Sequence, residues 1–153
     1  MIPPKFFCLI SYVLGLLSFH THGQPGTWTW MRGDSTVTYG YLGTQGVEDP
    51  ATTPGSTYEG AEWTDLQGNF WLFGGYGYAS SSLSNGYLND LWKYNPTTNQ
   101  WTWIKGDSTA DFSYTNMESP EGRRGAVSWK DLQGNLWVYG GYGLYNFTFD
   151  CEI

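Results

Sequence analysis

Short stretches of this 153-residue chain alternate apolar and polar positions, the period of a half-buried strand rather than of a helix. In Thr27–Met31, Trp28 and Trp30 fall on one face and Thr27, Thr29 and Met31 on the other, and Gly33-Asp34-Ser35 ends the strand. Residues 36–58 are rich in Gly, Thr, Tyr and Pro, show no helical period and read as a long irregular loop. A hairpin follows, with strands Gly60–Thr64 and Phe70–Phe73 around the turn Asp65-Leu66-Gln67-Gly68-Asn69. Gly68 and Asn69 are the residue types that accept positive φ at a hairpin tip. Gly74-Gly75 then lets the backbone bend and pass close to a neighbour, where a Cβ would obstruct. Tyr76–Gly86 is a Ser/Gly/Tyr loop. In the strand Tyr87–Tyr94, Leu88, Asp90, Trp92 and Tyr94 alternate with Asn89, Leu91 and Lys93. Asn95-Pro96-Thr97-Thr98-Asn99 is a turn, with Pro96 fixing φ near its start, and Gln100–Ile104 is a fourth strand.

Two of these patterns occur twice. Leu66-Gln67-Gly68-Asn69-Phe70-Trp71-Leu72-Phe73-Gly74-Gly75-Tyr76-Gly77 returns from Leu132 to Gly143 at an offset of 66. Trp28-Thr29-Trp30-Met31-Arg32-Gly33-Asp34-Ser35-Thr36 returns from Trp101 to Thr109 at an offset of 73. Repeated strands in fixed order mean one supersecondary unit used more than once. Four short antiparallel strands joined by turns, restarting at Gly125, describe an all-β partial propeller. The expected content is about one and a half four-stranded antiparallel blades plus a lone N-terminal strand. The full blade spans about 60–104, the half blade is the hairpin 125–139, and the lone strand is 27–31. After Gly143 the sequence bears no likeness to Tyr78–Trp92, so no third strand is expected in the second blade.

Composition supports strands: 21 glycines and 19% aromatic residues suit turns and pleated surfaces. The formal charge of −7 and scattered basic residues argue against nucleic acid, which needs a basic stripe. Lys5 precedes an apolar run, Phe6–Phe19, whose 14 residues fall short of the about 20 that a membrane span needs. The basic start, short apolar centre and small residues near Thr21 and Gly23 read as a signal peptide over 1–23, leaving a secreted mature domain over 24–153. Cleavage would remove His20, His22 and Cys8, leaving Cys151 as the single cysteine and allowing no internal disulfide. A lone thiol in an oxidising compartment suggests pairing with another molecule or an abnormal terminus, of which the latter is favoured.

These features together resemble kelch-repeat proteins of the galactose-oxidase-like β-propeller group. The carrying residues are the double glycines Gly74-Gly75 and Gly140-Gly141, and Tyr94 and Trp101. Leu88-Asn89-Asp90-Leu91-Trp92-Lys93-Tyr94-Asn95-Pro96 and the Gly-Asn-x-Trp-x-x-Gly-Gly runs look like the variant common in secreted multi-kelch proteins. The resemblance covers roughly residues 27–143. It implies that Trp28-Thr29-Trp30 is a fourth strand completing a distant last blade, whose third strand this chain lacks. The family's arginine before Gly-Ala matches Arg124, whereas Glu59 stands in its place before Gly60-Ala61, so the first copy is locally irregular. A propeller typically needs at least four blades, and exposed Trp and Tyr faces and strand edges invite association. A truncated product, or a protomer that self-associates to complete the propeller, is therefore expected.

Little chemistry is on offer. Without histidine in the mature chain, no Ser-His-Asp triad or His-based metal site can form. Relatives that oxidise sugars use copper held by histidines and tyrosines beside a modified cysteine, and no matching positions exist here, so no cofactor is expected. Asp65 and Asp131, and Asp34 and Asp107, recur at equivalent positions and read as turn and capping groups rather than a glycosidase pair. Glu48-Asp49 reads as a solvated pair. Tyr76 and Tyr142, being duplicated, are expected to pack between blades, while Tyr39, Tyr41 and Tyr78 are candidate ligand-contact residues on loops. Asn146-Phe147-Thr148 is an N-glycosylation sequon, open to modification in a eukaryotic secretory path and otherwise an accident of the tail. The expected function is noncatalytic protein binding. The alternatives are glycan binding through loop tyrosines, a carboxylate-based hydrolase, and a fragment of a larger kelch protein without activity of its own.

Overall fold

The computed structural model describes residues 29–80, 85–110, 120–143 and 150–152, the last three by their backbone. The signal-peptide reading, Trp28 and Asn146 lie outside the described residues. The chain divides into two compact units, Met1–Trp30 and Met31–Ile153. Thr29 and Trp30, the described part of the first unit, lie in no strand, and neither does Met31. The expected strand over 27–31 is therefore not formed over 29–31. A strand needs a ladder of backbone hydrogen bonds, and residues 29–31 belong to no ladder among the described residues.

The second unit is all-β among the described residues, with every strand pairing antiparallel. Its first blade comprises β2 (Ala61–Thr64), β3 (Phe70–Tyr78), β4 (Asn85–Asn95) and β5 (Gln100–Lys105). A short β1 (Thr57–Tyr58) lies inside the stretch read as loop and pairs with the far half of β3, beyond the double glycine. The second blade repeats this plan. β6 (Arg123–Arg124) pairs with β9 (Tyr142–Gly143) as β1 pairs with β3, and β7 (Val127–Lys130) pairs with β8 (Leu136–Tyr139) as β2 pairs with β3.

Two sequence readings are corrected. The half blade gains a third strand: β10 (Asp150–Glu152) pairs with β8 with Cys151 opposite Val138, the place that Trp92 holds opposite Leu72. Ladder bonds join backbone groups of any sequence, so a segment unlike Leu88–Tyr94 can fill the slot. The alternation proposed for Tyr87–Tyr94 also fails, because Leu88–Trp92 is buried without interruption. The register slips between Phe73 and Gly75, where Asn89 and Asp90 stand opposite Gly74 alone, a bulge that turns both polar side chains inward.

Both hairpin tips are built alike. The Asp65 carboxylate accepts from the backbone N–H of Gln67 (2.9 Å) and Asn69 (2.8 Å), from Asn69 Nδ2 (2.8 Å) and from Trp71 Nε1 (2.9 Å). Asp131 accepts the same four bonds from Gln133, Asn135 and Trp137. Burial raises the Asp65 pKa, but these bonds together outweigh it and hold the group below its usual value. The bond from Trp137 leads the lowering at Asp131. Both aspartates are turn-builders, committed by four bonds each.

The core lies between the blades. Ala61, Trp63, Phe73 and Leu91 of the first blade close on Leu136 and Val138 of the second. Burying each large apolar side chain there is worth about 1.5–3 kcal/mol. The outer edge of β5 is covered by the preceding loop. Gly46 N–H donates to Trp103 O (2.8 Å), Gln45 Nε2 to Ile104 O (2.8 Å), and Asp49 forms a bridge with Trp101. That cover blunts an otherwise open edge. Arg32 holds the loop down, donating to Asn99 O (2.8 Å), Thr52 O (3.2 Å) and Pro50 O.

Candidate functional site

Register brings a row of phenols to the end of the sheets reached beyond the double glycines. Tyr58 on β1 is opposite Tyr76 on β3, and Tyr76 is opposite Tyr87 on β4. Their rings lie 5.7 Å and 5.1 Å apart, the second pair edge to face. Tyr142 of the second blade closes on Tyr87 at 5.7 Å. The Arg124 guanidinium sits over three of these rings, 5.6 Å from Tyr58, 5.7 Å from Tyr76 and 6.0 Å from Tyr142. It also donates to the Tyr58 hydroxyl (3.2 Å) and lies 3.5 Å from the Glu59 carboxylate. Partial desolvation raises the Tyr87 phenol above its usual range; the Tyr142 phenol adds to this and Arg124 opposes it.

Tyr76 and Tyr78 alternate onto one face of β3, and Tyr78 meets Tyr39 edge to face at 5.4 Å. Of the proposed contact residues, Tyr39 and Tyr78 are thus brought together. Tyr41 stands apart, exposed and bridged to Thr53, with no ring partner among the described residues. Tyr76 and Tyr142 do lie at the junction of the blades, yet Tyr142 is exposed and takes part in the rim. Tyr87 was read only as a strand residue. Its membership follows from a cross-strand register that no local pattern displays.

The correspondence assumed for Arg124 is corrected. Arg123 and Arg124 pair with Gly143 and Tyr142 as Thr57 and Tyr58 pair with Gly77 and Tyr76, so Arg124 stands in the place of Tyr58. Glu59 corresponds to Gly125, and both adopt left-handed backbone, at φ 57° and 64°. Arg124 therefore does not replace Glu59; it meets it.

The residues of the motif serve packing. Gly74 lies at φ 64°, and a Cβ there would meet Leu88 O at 2.7 Å and Arg123 O of the next blade at 2.8 Å. A Cβ on Gly75 would meet Tyr58 O at 2.8 Å, and one on Gly141 would meet Arg124 O at 2.8 Å. At Gly140 the same addition meets nothing within 4 Å. Tyr94 and Trp101 are opposite in register with rings 5.1 Å apart, and the Tyr94 hydroxyl donates to Asn99 Oδ1 (2.7 Å), tying the turn at left-handed Asn99 (φ 58°) to the sheet. Asn89 and Asp107 join β4 to the exit of β5: Asn89 Nδ2 donates to Asp107 Oδ2 (2.7 Å), and Asp107 N–H donates to Asn89 Oδ1 (2.9 Å). Asp90 is buried with its carboxylate accepting from Trp92 Nε1 (2.7 Å), and desolvation pushes its pKa up to about 6. Two recesses flank this frame. One, of about 510 Å³, opens between the blades and is lined by Trp71, Leu91, Ile104 and Leu136. The other, of about 530 Å³, lies on the far side of the first blade over Glu62, Thr64, Phe70 and Leu72.

Among the described residues, no group of three His, Cys, Asp or Glu side chains comes together to hold a metal ion, and no helix is long and apolar enough to cross a membrane. The comparisons with curated proteins and with solved structures returned no match. Residues 62–108, which run from β2 through β5, match the kelch motif, a repeat that in general marks a protein-interaction module. The double glycines, the Tyr94–Trp101 pair and a second blade built on the same register agree with that motif, so the chain carries a kelch repeat over 62–108 and a second blade of the same plan.

Proposed function

We propose that this chain is a secreted, noncatalytic protein-binding module of the galactose-oxidase-like kelch group, and that the tyrosine–arginine rim is its contact surface. One observation carries the reading: Tyr58, Tyr76, Tyr87 and Tyr142 are gathered around Arg124 across two blades, with Tyr58 and Tyr142 exposed. Tyr and Arg supply large, rigid contact area with polar tips, and they dominate the energetic centres of protein interfaces. Secretion is supported by the basic residue and apolar run at the start of the chain. The test is retention of a protein partner from extracellular extracts by the wild-type chain and its loss on Tyr58→Ser/Tyr142→Ser substitution. A partner retained equally by the variant, or none retained from any extract, would refute the proposal.

A second reading, glycan binding, is favoured by the exposed Tyr39 ring set edge to face on Tyr78. It requires glycan-array binding that drops when Tyr39, Tyr41 and Tyr78 become Ala.

A further inference from the structure

The two blades meet through a surface that the chain carries a second time, uncovered. Each blade turns Ala61, Trp63, Trp71 and Phe73, or their counterparts Val127, Trp129, Trp137 and Tyr139, to the same side. In the first blade this face is covered by the second. Exposure is 3% at Ala61, 6% at Trp63 and 2% at Phe73, against 63% at Val127, 44% at Trp129 and 48% at Tyr139. Trp129 and Trp137 stack in parallel 5.9 Å apart on the open face.

The opposite face is also duplicated. In the second blade Leu136 and Val138 are buried against the first blade, whereas their counterparts Phe70 and Leu72 floor the open recess of about 530 Å³. One end of the unit therefore presents the surface that the other end is shaped to receive.

Hydrogen bonds across the junction join repeat-equivalent positions at the offset of 66, except for the second bond of Trp63, which reaches Trp137. Trp63 Nε1 donates to Trp129 O (2.9 Å) and Trp137 O (3.1 Å), Ser128 Oγ to Glu62 O (3.1 Å), and Lys130 Nζ to Thr64 O (2.8 Å). Each group has a counterpart at an open end. Among the described residues, no acceptor is found for the Trp129 indole N–H. Trp63 and Trp71, whose carbonyls would receive it in a repeated junction, line the recess.

We infer that copies of this chain associate head to tail, the Val127–Trp129–Trp137–Tyr139 face of one copy seating in the Glu62–Thr64–Phe70–Leu72 recess of the next. The partner is a second copy because the two surfaces are repeat-equivalents of the two halves of a junction already formed within the chain. This surface is distinct from the tyrosine–arginine rim, so the inference stands or falls apart from the proposed function. The contact is heterologous, so it propagates past the dimer rather than pairing off. It is also weaker than the internal junction. Glu62 offers no donor in the place of Ser128, and the Thr64 hydroxyl lacks the reach of Lys130, so both side-chain bonds to main-chain carbonyls are missing. Association should accordingly depend on concentration.

The test is sedimentation of the full chain across a concentration series. The expected result is a mass rising with concentration past the dimer; a chain monomeric throughout overturns the inference. Val127→Lys/Tyr139→Lys blocks one face and Phe70→Lys the other. Each variant alone should stay monomeric, and an equal mixture should stop at a dimer, because one intact face of each kind remains. A mixture that stays monomeric, or association that one variant abolishes and the other leaves whole, overturns it. Glu62→Ser/Thr64→Lys changes only exposed positions and restores both missing bonds, so it keeps the test decisive should the first variants fold poorly. It should shift association to roughly tenfold lower concentration, and an unchanged curve refutes the assigned register.

Discussion

Asp90 sets burial against charge. Its carboxylate is buried in the β4 bulge with one side-chain donor, Trp92 Nε1 at 2.7 Å, and a bond from its own backbone N–H. Desolvation moves its pKa from 3.8 to about 6. A shift of roughly 2 pH units corresponds to about 3 kcal/mol between protonation states. The sign follows from proton uptake. Between about pH 4 and 6 the folded chain holds a proton that the unfolded chain has released, so stability falls as pH rises through that window. Below about pH 4 both states are protonated and the cost vanishes; above about pH 6 it is complete. Asp90→Asn has no charge to desolvate and keeps an oxygen for Trp92, but it exchanges the bond from its own N–H for an unmatched amide, a loss of about 1 kcal/mol. The variant should be less stable than wild type by about 1 kcal/mol near pH 4 and more stable by about 2 kcal/mol near pH 7. Urea unfolding followed by tryptophan emission across this range measures the crossing. Asp65 and Asp131, whose pKa values are lowered, lose their stabilising bonds only as pH falls below the usual carboxylate range, and both proteins share them. A difference between variant and wild type that stays flat with pH refutes the reasoning.

The duplication supplies internal controls for two further predictions. Gly74→Ala and Gly140→Ala impose the same left-handed strain, at φ 64° and 69°, worth about 1–2 kcal/mol. Only the first also drives a Cβ into two backbone carbonyls, so it should cost more than about 4 kcal/mol or prevent folding, as read by the urea midpoint. Trp63→Phe removes an indole N–H shared between Trp129 O and Trp137 O and should cost about 1–3 kcal/mol, whereas Trp129→Phe should stay within about 0.5 kcal/mol in dilute solution. Equal costs within either pair would show that the neighbouring element does not govern these environments.

Much of the fold was legible because its signals are local. The turn Asp65-Leu66-Gln67-Gly68-Asn69 marked the hairpin that holds β2, the turn Asn95-Pro96-Thr97-Thr98-Asn99 marked the start of β5, and the 66-residue offset marked the second copy; the turns depend on residues close in sequence. The bulge at Asn89–Asp90 broke the pattern because burial on both faces of β4 removes the polar–apolar contrast that periodicity needs. Arg124 was read against Glu59 from its Gly-Ala neighbour, but the ladder sets it against Tyr58, since register is decided across strands.

By itself the sequence determined the blade plan, the turn-building role of Asp65 and Asp131 and the low charge that disfavours nucleic acid, because these rest on composition and short-range geometry. Only the tertiary structure decided which phenols gather around Arg124, which strand fills the third place beside β8, and which of two chemically similar tryptophan faces is covered. The physical reason is that Trp63 and Trp129 carry the same local code, and their difference in exposure comes from the neighbour each one meets.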